Sequence, residues 1–239
     1  MATQSPKPAN SESNALIASP WHTLFVLLAS ALWAYRAIYN AAQARAALAP
    51  GRPYIYLRTM FFEWVLLAIV IFGVRLRGGS LQTIFGQRWR SLGAAVRDLA
   101  LGISFMVAST IVVSIVSAVE GDTSSTQSVK FLIPQSALEL ILWVALSITA
   151  GICEEAIYRG YFQRQFAALT HNVPAGIILS GAVFGAVHAY QGWKRAVAIA
   201  AMGIVLGIFA HWRKTVRPGM FAHAIQDLIA PVLIKLVRN

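Results

Sequence analysis

Seven apolar runs constrain this chain more than any other feature: residues 23–35, 60–74, 99–119, 137–153, 175–187, 197–210 and 220–237, the second extended by 54–57. A hydrocarbon core of about 30 Å takes roughly 20 apolar residues to cross as a helix, with about 17–25 as the range. No alternating pattern with turn spacing calls for a β-barrel. The expected fold is therefore all-α, a polytopic transmembrane helical bundle of about seven spans, six to eight, the shorter runs being tilted or enclosed by neighbours. An eighth element, residues 156–168, is amphipathic and is expected to lie along an interface.

Composition agrees. The 239 residues are 57% hydrophobic and 12% charged, with a mean hydropathy of +0.62. A soluble domain is about 45–50% apolar and about 25% charged, so these charges are too few to cover a soluble surface. That argues against a soluble enzyme, a disordered chain and a nucleic-acid module. The net charge of +11 reflects nine acids against twenty Lys and Arg, with the basic residues lying between apolar runs. This is the pattern of a membrane protein whose partner is lipid, not nucleic acid. The single cysteine, Cys153, excludes an internal disulfide and a multi-cysteine metal cage, and its plainest reading is a buried thiol rather than a nucleophile.

Residues 1–14 read as a flexible polar tail, and 15–136 as N-terminal transmembrane helices with a basic cytoplasmic loop. Ala29-Ser30-Ala31 resembles a signal-peptidase site, but the run continues through Leu32 and Trp33. Gly181 to Gly185 and Gly203 to Gly207 are small-xxx-small patterns that let helices approach closely in lipid. Segment 75–97 carries Arg75, Arg77, Arg88, Arg90 and Arg97, which places it in the cytoplasm. Loop 120–136, with Glu120, Asp122 and only Lys130, is then outside, and 212–219, with Arg213, Lys214 and Arg217, inside. Arg36, Arg45 and Arg52 fall on the outer side of this scheme.

Nine acids can be weighed singly. Glu12 is in the tail; Asp98, Glu120 and Asp122 flank helix ends; Glu139 and Glu63 read as helix-end or interfacial charges. Glu154, Glu155 and Asp227 sit in or beside apolar helices, where a charge costs about 2.5–3.5 kcal/mol at the membrane centre and marks function by default. Glu155 and Arg159 are at i,i+4, a spacing that favours an ion pair. Glu154 is then left as an unpaired carboxylate facing elsewhere. His188 ends the 175–187 run one turn after Phe184, and His223 shares a face with Asp227. His22, His171 and His211 read as solvated or interfacial.

A carboxylate base near a histidine can activate water, while a second histidine stabilises an oxyanion, which describes hydrolysis of an amide. The same Glu154, His188 and His223 could instead hold zinc through one oxygen and two nitrogens. There is no H-E-x-x-H and no G-x-S-x-G, and Ser180 has no evident partner.

Three motifs resemble the CAAX protease and bacteriocin-processing (Abi) family of intramembrane peptidases, related to type II CAAX prenyl proteases. E-E-x-x-x-R stands at Glu154–Arg159, F-x-x-x-H at Phe184 and His188, and H-x-x-x-D at His223 and Asp227. The resemblance covers about residues 137–237 and implies a four-helix catalytic core within 137–239. It also implies a glutamate-type endopeptidase acting on a membrane-anchored polypeptide. Glu154 and His188 would activate water, and His223 with Asp227 would form the oxyanion pocket. Glu155, Arg159 and Phe184 would support them. No cofactor is expected, zinc being possible. An ionised Asp227 accepts but cannot donate, so it is expected to orient His223. The expected location is a bacterial inner membrane, with the site toward the cytoplasm. The competing classes are a zinc-dependent protease, a non-catalytic immunity or scaffold protein, and a small transporter. The lack of an inverted repeat argues against the last.

Overall fold

The structure is a computed structural model that describes residues 15–45, 51–121 and 130–236. The expected tail with Glu12, Asp122, the Lys130 side chain and the final residue of the 220–237 run lie outside the described residues. Among the described residues all regular structure is helical.

Each apolar run falls within one helix. These are α1 (Pro20–Arg45), α2 (Arg52–Leu76), α4 (Leu92–Val119), α5 (Ala137–Glu154), α7 (Val173–Val187), α8 (Trp193–Arg213) and α9 (Arg217–Leu236). A short α3 (Leu81–Phe85) and α6 (Gln163–Thr170) complete the set. Among the described residues five stretches are long and apolar enough to cross a membrane: Pro20–Ala42, α2, α4, Ala137–Thr170 and α8. Helix α7 is shorter, at 15 residues, and α9 carries Arg217, His223 and Asp227 among its apolar residues. Large apolar side chains such as Leu28, Leu32, Phe61, Phe72, Ile111 and Ile115 face outward, as a lipid-facing surface requires.

Local chemistry sets the helix starts. Ser91, Ser136 and Asn172 each accept a backbone N–H in the first turn of α4, α5 and α7. A proline in the first turn starts α2 at Arg52. Glu63, expected near the beginning of its helix, therefore falls near the middle of α2.

Helix α5 does not stop at Glu154. It passes through a π-helical segment, Glu155–Phe162, directly into α6, giving one rod of 34 residues. At about 1.5 Å per residue, such a rod exceeds a hydrocarbon core of about 30 Å. The expected separate interfacial element at 156–168 is thus corrected, since all eight residues of the π segment are buried. Its periodicity was real, but the polar face turns inward. Arg159 meets Glu155, Gln163 donates to the Gly207 carbonyl, and Gln165 accepts from the N–H groups of Ile17 and Ala18.

His22 is likewise an interior group. Its Nε2 donates to the Ile69 carbonyl at 3.0 Å, and its Nδ1 accepts from the Tyr161 hydroxyl at 2.7 Å. Asp98 is buried rather than solvated, accepting from Trp89 Nε1 at 2.8 Å and Arg213 Nη2 at 3.3 Å. His171 and His211 are exposed, as expected.

Two ends of the bundle can be defined by contacts. Thr215 donates to the Phe85 carbonyl at 2.8 Å, and Arg217 donates to the carbonyls of Gln87 and Gly86. This arginine-rich end therefore joins α3 to the α8–α9 turn. At the other end Arg52 meets Glu139 and the Phe131 carbonyl, and Lys194 meets the Glu120 carbonyl.

The two glycine patterns bring α7 and α8 into backbone contact. A Cβ on Gly181 would lie 2.6 Å from Ile204 Cγ1, and one on Gly203 would lie 3.1 Å from the Gly181 Cα. Overpacking costs about 1–3 kcal/mol. Gly181→Val should therefore lower the thermal midpoint in detergent, whereas Ile178→Val, on the outer face of α7, should leave it unchanged.

Candidate active site

The site assembles where α5, the π segment, α7 and α9 meet. Glu155 opens the π segment and is fully buried. Its Oε1 lies 2.8 Å from Arg159 Nη1, with both side chains almost inaccessible. The guanidinium stacks on the Phe184 ring, Cζ lying 4.2 Å from the ring centroid. Small residues make room for this buried pair: a Cβ on Gly203 would crowd Arg159 Nη2, and one on Gly219 would lie 2.8 Å from Glu155 Oε2. The wider π turn also leaves the Tyr158 carbonyl accepting both the Gln163 N–H and the Ser180 hydroxyl. Ser180 is thus engaged with backbone rather than lacking a partner.

Helix α9 brings in His223 and Asp227. It packs tightly on α5 because a Cβ on Gly151 would meet the Met220 carbonyl at 2.7 Å and Ala224 at 2.8 Å. Trp143 Nε1 donates to the Asp227 carbonyl at 3.1 Å, fixing the two helices in register. The His223 imidazole is buried and stands between the two adjacent glutamates. Its Nδ1 is 3.2 Å from Glu155 Oε1, and its Nε2 is 3.7 Å from Glu154 Oε2. Adjacent residues on a helix cannot face one point, but they can clasp the two edges of one ring. The expectation that Glu154 faces elsewhere is thereby corrected.

Asp227 Oδ2 lies 3.6 Å from the same His223 Nε2, and this carboxyl is far more accessible than either glutamate. Glu155, not Asp227, orients the ring through Nδ1.

His188 caps the C-terminal end of α7. Its Nδ1 lies 2.8 Å from the Phe184 carbonyl. A carbonyl only accepts, so Nδ1 carries the hydrogen and a neutral ring presents a lone pair at Nε2. That Nε2 is 3.9 Å from Glu154 Oε2. Phe184 forms the wall behind both imidazoles, edge-on to His223 with ring centroids 5.8 Å apart and tilted toward His188 at 4.8 Å.

Glu154, His188, Tyr158 and Tyr190 line one end of a cavity of about 140 Å³, whose other walls include Trp33, Phe62 and Leu146. The cavity extends from Glu154 toward the end of the bundle carrying Arg52 and Phe131, away from the arginine-rich end. Glu154 lies near the middle of the 34-residue rod, not at a helix end.

Glu63 also lines this cavity and is buried. Sequence reasoning missed it. The signal was an acid inside an apolar run, the same signal that selected Glu154, set aside because the helix start was placed too late. Cys153 is a buried free thiol beside the site. No group of three or more His, Cys, Asp or Glu side chains among the described residues is placed to hold a metal ion.

Removing one partner of a buried ion pair costs about 3–5 kcal/mol, because the other charge is stranded. Glu155→Ala and Arg159→Ala should each lower the thermal midpoint of the detergent-solubilised protein strongly. Arg159→Lys should also destabilise it, since an ammonium cannot lie flat on the Phe184 ring. An unchanged midpoint in all three would remove this pair from the frame of the site.

No curated protein and no solved structure matches the chain. Residues 136–229, the stretch that supplies Glu154, His188, His223 and Asp227, match the family profile described as Type II CAAX prenyl endopeptidase Rce1-like. Over that stretch the chain is similar to type II CAAX prenyl endopeptidases, in keeping with the family its three motifs resemble.

Proposed function

We propose that this integral membrane protein hydrolyses a peptide bond in a membrane-associated polypeptide, using water activated by Glu154 and His188. The family match supports a CAAX-type intramembrane endopeptidase in general terms. The observation that carries the finer reading is that one oxygen, Glu154 Oε2, lies within 4 Å of Nε2 of both His188 and His223.

Chemistry then assigns the roles. Glu154 Oε2 and His188 Nε2 are both acceptors, 3.9 Å apart. Two acceptors at that separation can share one water that donates an O–H to each. Glu154 takes a proton as the water oxygen attacks the carbonyl carbon, and returns it to the leaving nitrogen when the tetrahedral adduct collapses. His223 donates Nδ1–H to Glu155; carrying a second proton at Nε2, it offers that N–H to the developing oxyanion. Asp227 stands 3.6 Å from the same nitrogen on the open side, beyond hydrogen-bond distance, where it flanks the ring and limits its swing without taking the hydrogen offered to the oxyanion. No step above calls for a metal.

Glu154→Gln should reduce cleavage by purified protein in detergent by at least about 10³-fold, the scale of losing the activating base. Equal cleavage by that variant would sink the mechanism, and no cleavage by the wild type would favour a non-catalytic scaffold or immunity protein. A strong chelator should leave the rate unchanged. Asp227→Asn should cleave at a near-normal rate and Asp227→Ala more slowly; full activity in Asp227→Ala would remove that residue from the mechanism.

We further propose that the arginine-rich end faces the cytoplasm. The cavity then leads away from the cytoplasm, so substrate reaches Glu154 from the opposite side, not from the cytoplasmic side the sequence led one to expect. With a membrane-impermeant thiol reagent, Gln87→Cys should label only from the cytoplasmic side and Gln135→Cys only from the other. The reverse pattern would return the cavity to the cytoplasm.

A further inference from the structure

Among the acids of the membrane helices, Glu63 has no role in the chemistry above, yet its placement is the least expected. It sits near the middle of α2, a helix packed against α5 and the π segment. Its residue surface is 7% accessible, and its Oε2 is buried without a hydrogen-bond donor among the described residues. It shares the cavity wall with Glu154 and His188. Its carboxyl is within hydrogen-bonding reach of the Glu154 carboxyl.

Two ionised carboxylates only accept, so they cannot bond to each other. A hydrogen bond between them requires that one carry a proton, the arrangement that lets two acids share a dry site. Glu154 is the one facing imidazole nitrogens, from α7 and from α9. Glu63 has no such neighbour. Arg58, on the same helix and lining the same cavity, lies over the rings of Trp33 and Tyr54 and forms no ion pair with Glu63 among the described residues. The remaining polar side chains lining the cavity are those of Ser30, Asn40, Tyr56, Thr59, Tyr158 and Tyr190, with Asp227 beyond Glu154. None of them supplies a second cation to hold Glu63 ionised. The proton therefore rests on Glu63 and the charge on Glu154.

We propose that Glu63 is a positioning residue for Glu154, donating a carboxylic-acid hydrogen bond that holds the Glu154 carboxylate in its aim at His188 and His223. This rests on the reading of Glu154 as the water-activating group. It assigns α2, which lies outside the matched family region, a direct part in setting the geometry of the reaction. Glu63 does not touch the scissile bond, so its loss should slow turnover without weakening binding.

The test uses two variants and two readouts on purified protein in detergent. Glu63→Leu removes the donor, while Glu63→Gln keeps one on a side chain of the same length. Glu63→Leu should lower kcat by about tenfold or more with KM within about twofold, and Glu63→Gln should recover to within about threefold of wild type. A wild-type kcat in Glu63→Leu overturns the proposal, as does a Gln variant as slow as the Leu variant. The second readout does not depend on activity. The infrared C=O stretch of a protonated carboxylic acid should be present in the wild type, shifted in Glu154→Gln and missing from both Glu63 variants. Its absence from the wild type, or its persistence in Glu63→Leu, overturns the proposal at any level of activity. If the band behaves as expected while Glu154→Gln cleaves like wild type, the reading of Glu154 falls and the positioning role falls with it, leaving only the hydrogen bond.

Discussion

An ionised side chain inside an apolar bundle persists only where a partner offsets its lost hydration, and here that partner is Arg159. Its guanidinium meets Glu155 and sits over the Phe184 ring, so one cation fixes an acid on the π segment and an aromatic wall on α7. Glu155 then fixes His223 through Nδ1. The imidazole, so held, turns its other nitrogen to Glu154. The order matters: the buried pair is structural, and the other edge of the ring it orients is the one turned to Glu154. Glycines at 203 and 219 leave the space that the pair occupies.

Much of this was legible without coordinates, because lipid makes polar residues conspicuous. Glu154, Glu155, His188, His223 and Asp227 stood out as rare groups on apolar helices, and their spacing pointed to shared faces. The glycine patterns likewise pointed to helices packed closely against neighbours, though not to α7 and α8 as each other's partner. What could not be read was depth. Glu63 was placed at a helix end because α2 begins well before its apolar run, at Arg52 and the proline beside it. Asp98 and His22 looked solvated for the same reason: being near a helix end in sequence does not say whether the end is covered. Trp89, Arg213 and Tyr161, distant or on other helices, cover them.

The π segment shows a second limit. Periodicity over 156–168 reported two unlike faces but not which one meets solvent. The polar face turned inward because Glu155, the Gly207 carbonyl and the N–H groups of Ile17 and Ala18 were waiting for it. A wider turn also changes which neighbours a residue meets, so adjacent glutamates that point apart can still grip one imidazole from two sides. The histidine, reaching from another helix, supplies the convergence that neither glutamate achieves alone.

The central claim is that Glu154 and His188 act as one unit on one water. Groups that share a single step lose their contribution together, so their effects do not multiply. The most direct measurement is the cleavage rate of the double variant Glu154→Gln/His188→Ala beside both single variants, in purified protein. A double variant no slower than the slower single variant is the predicted result. A rate equal to the product of two independent losses would contradict a shared water.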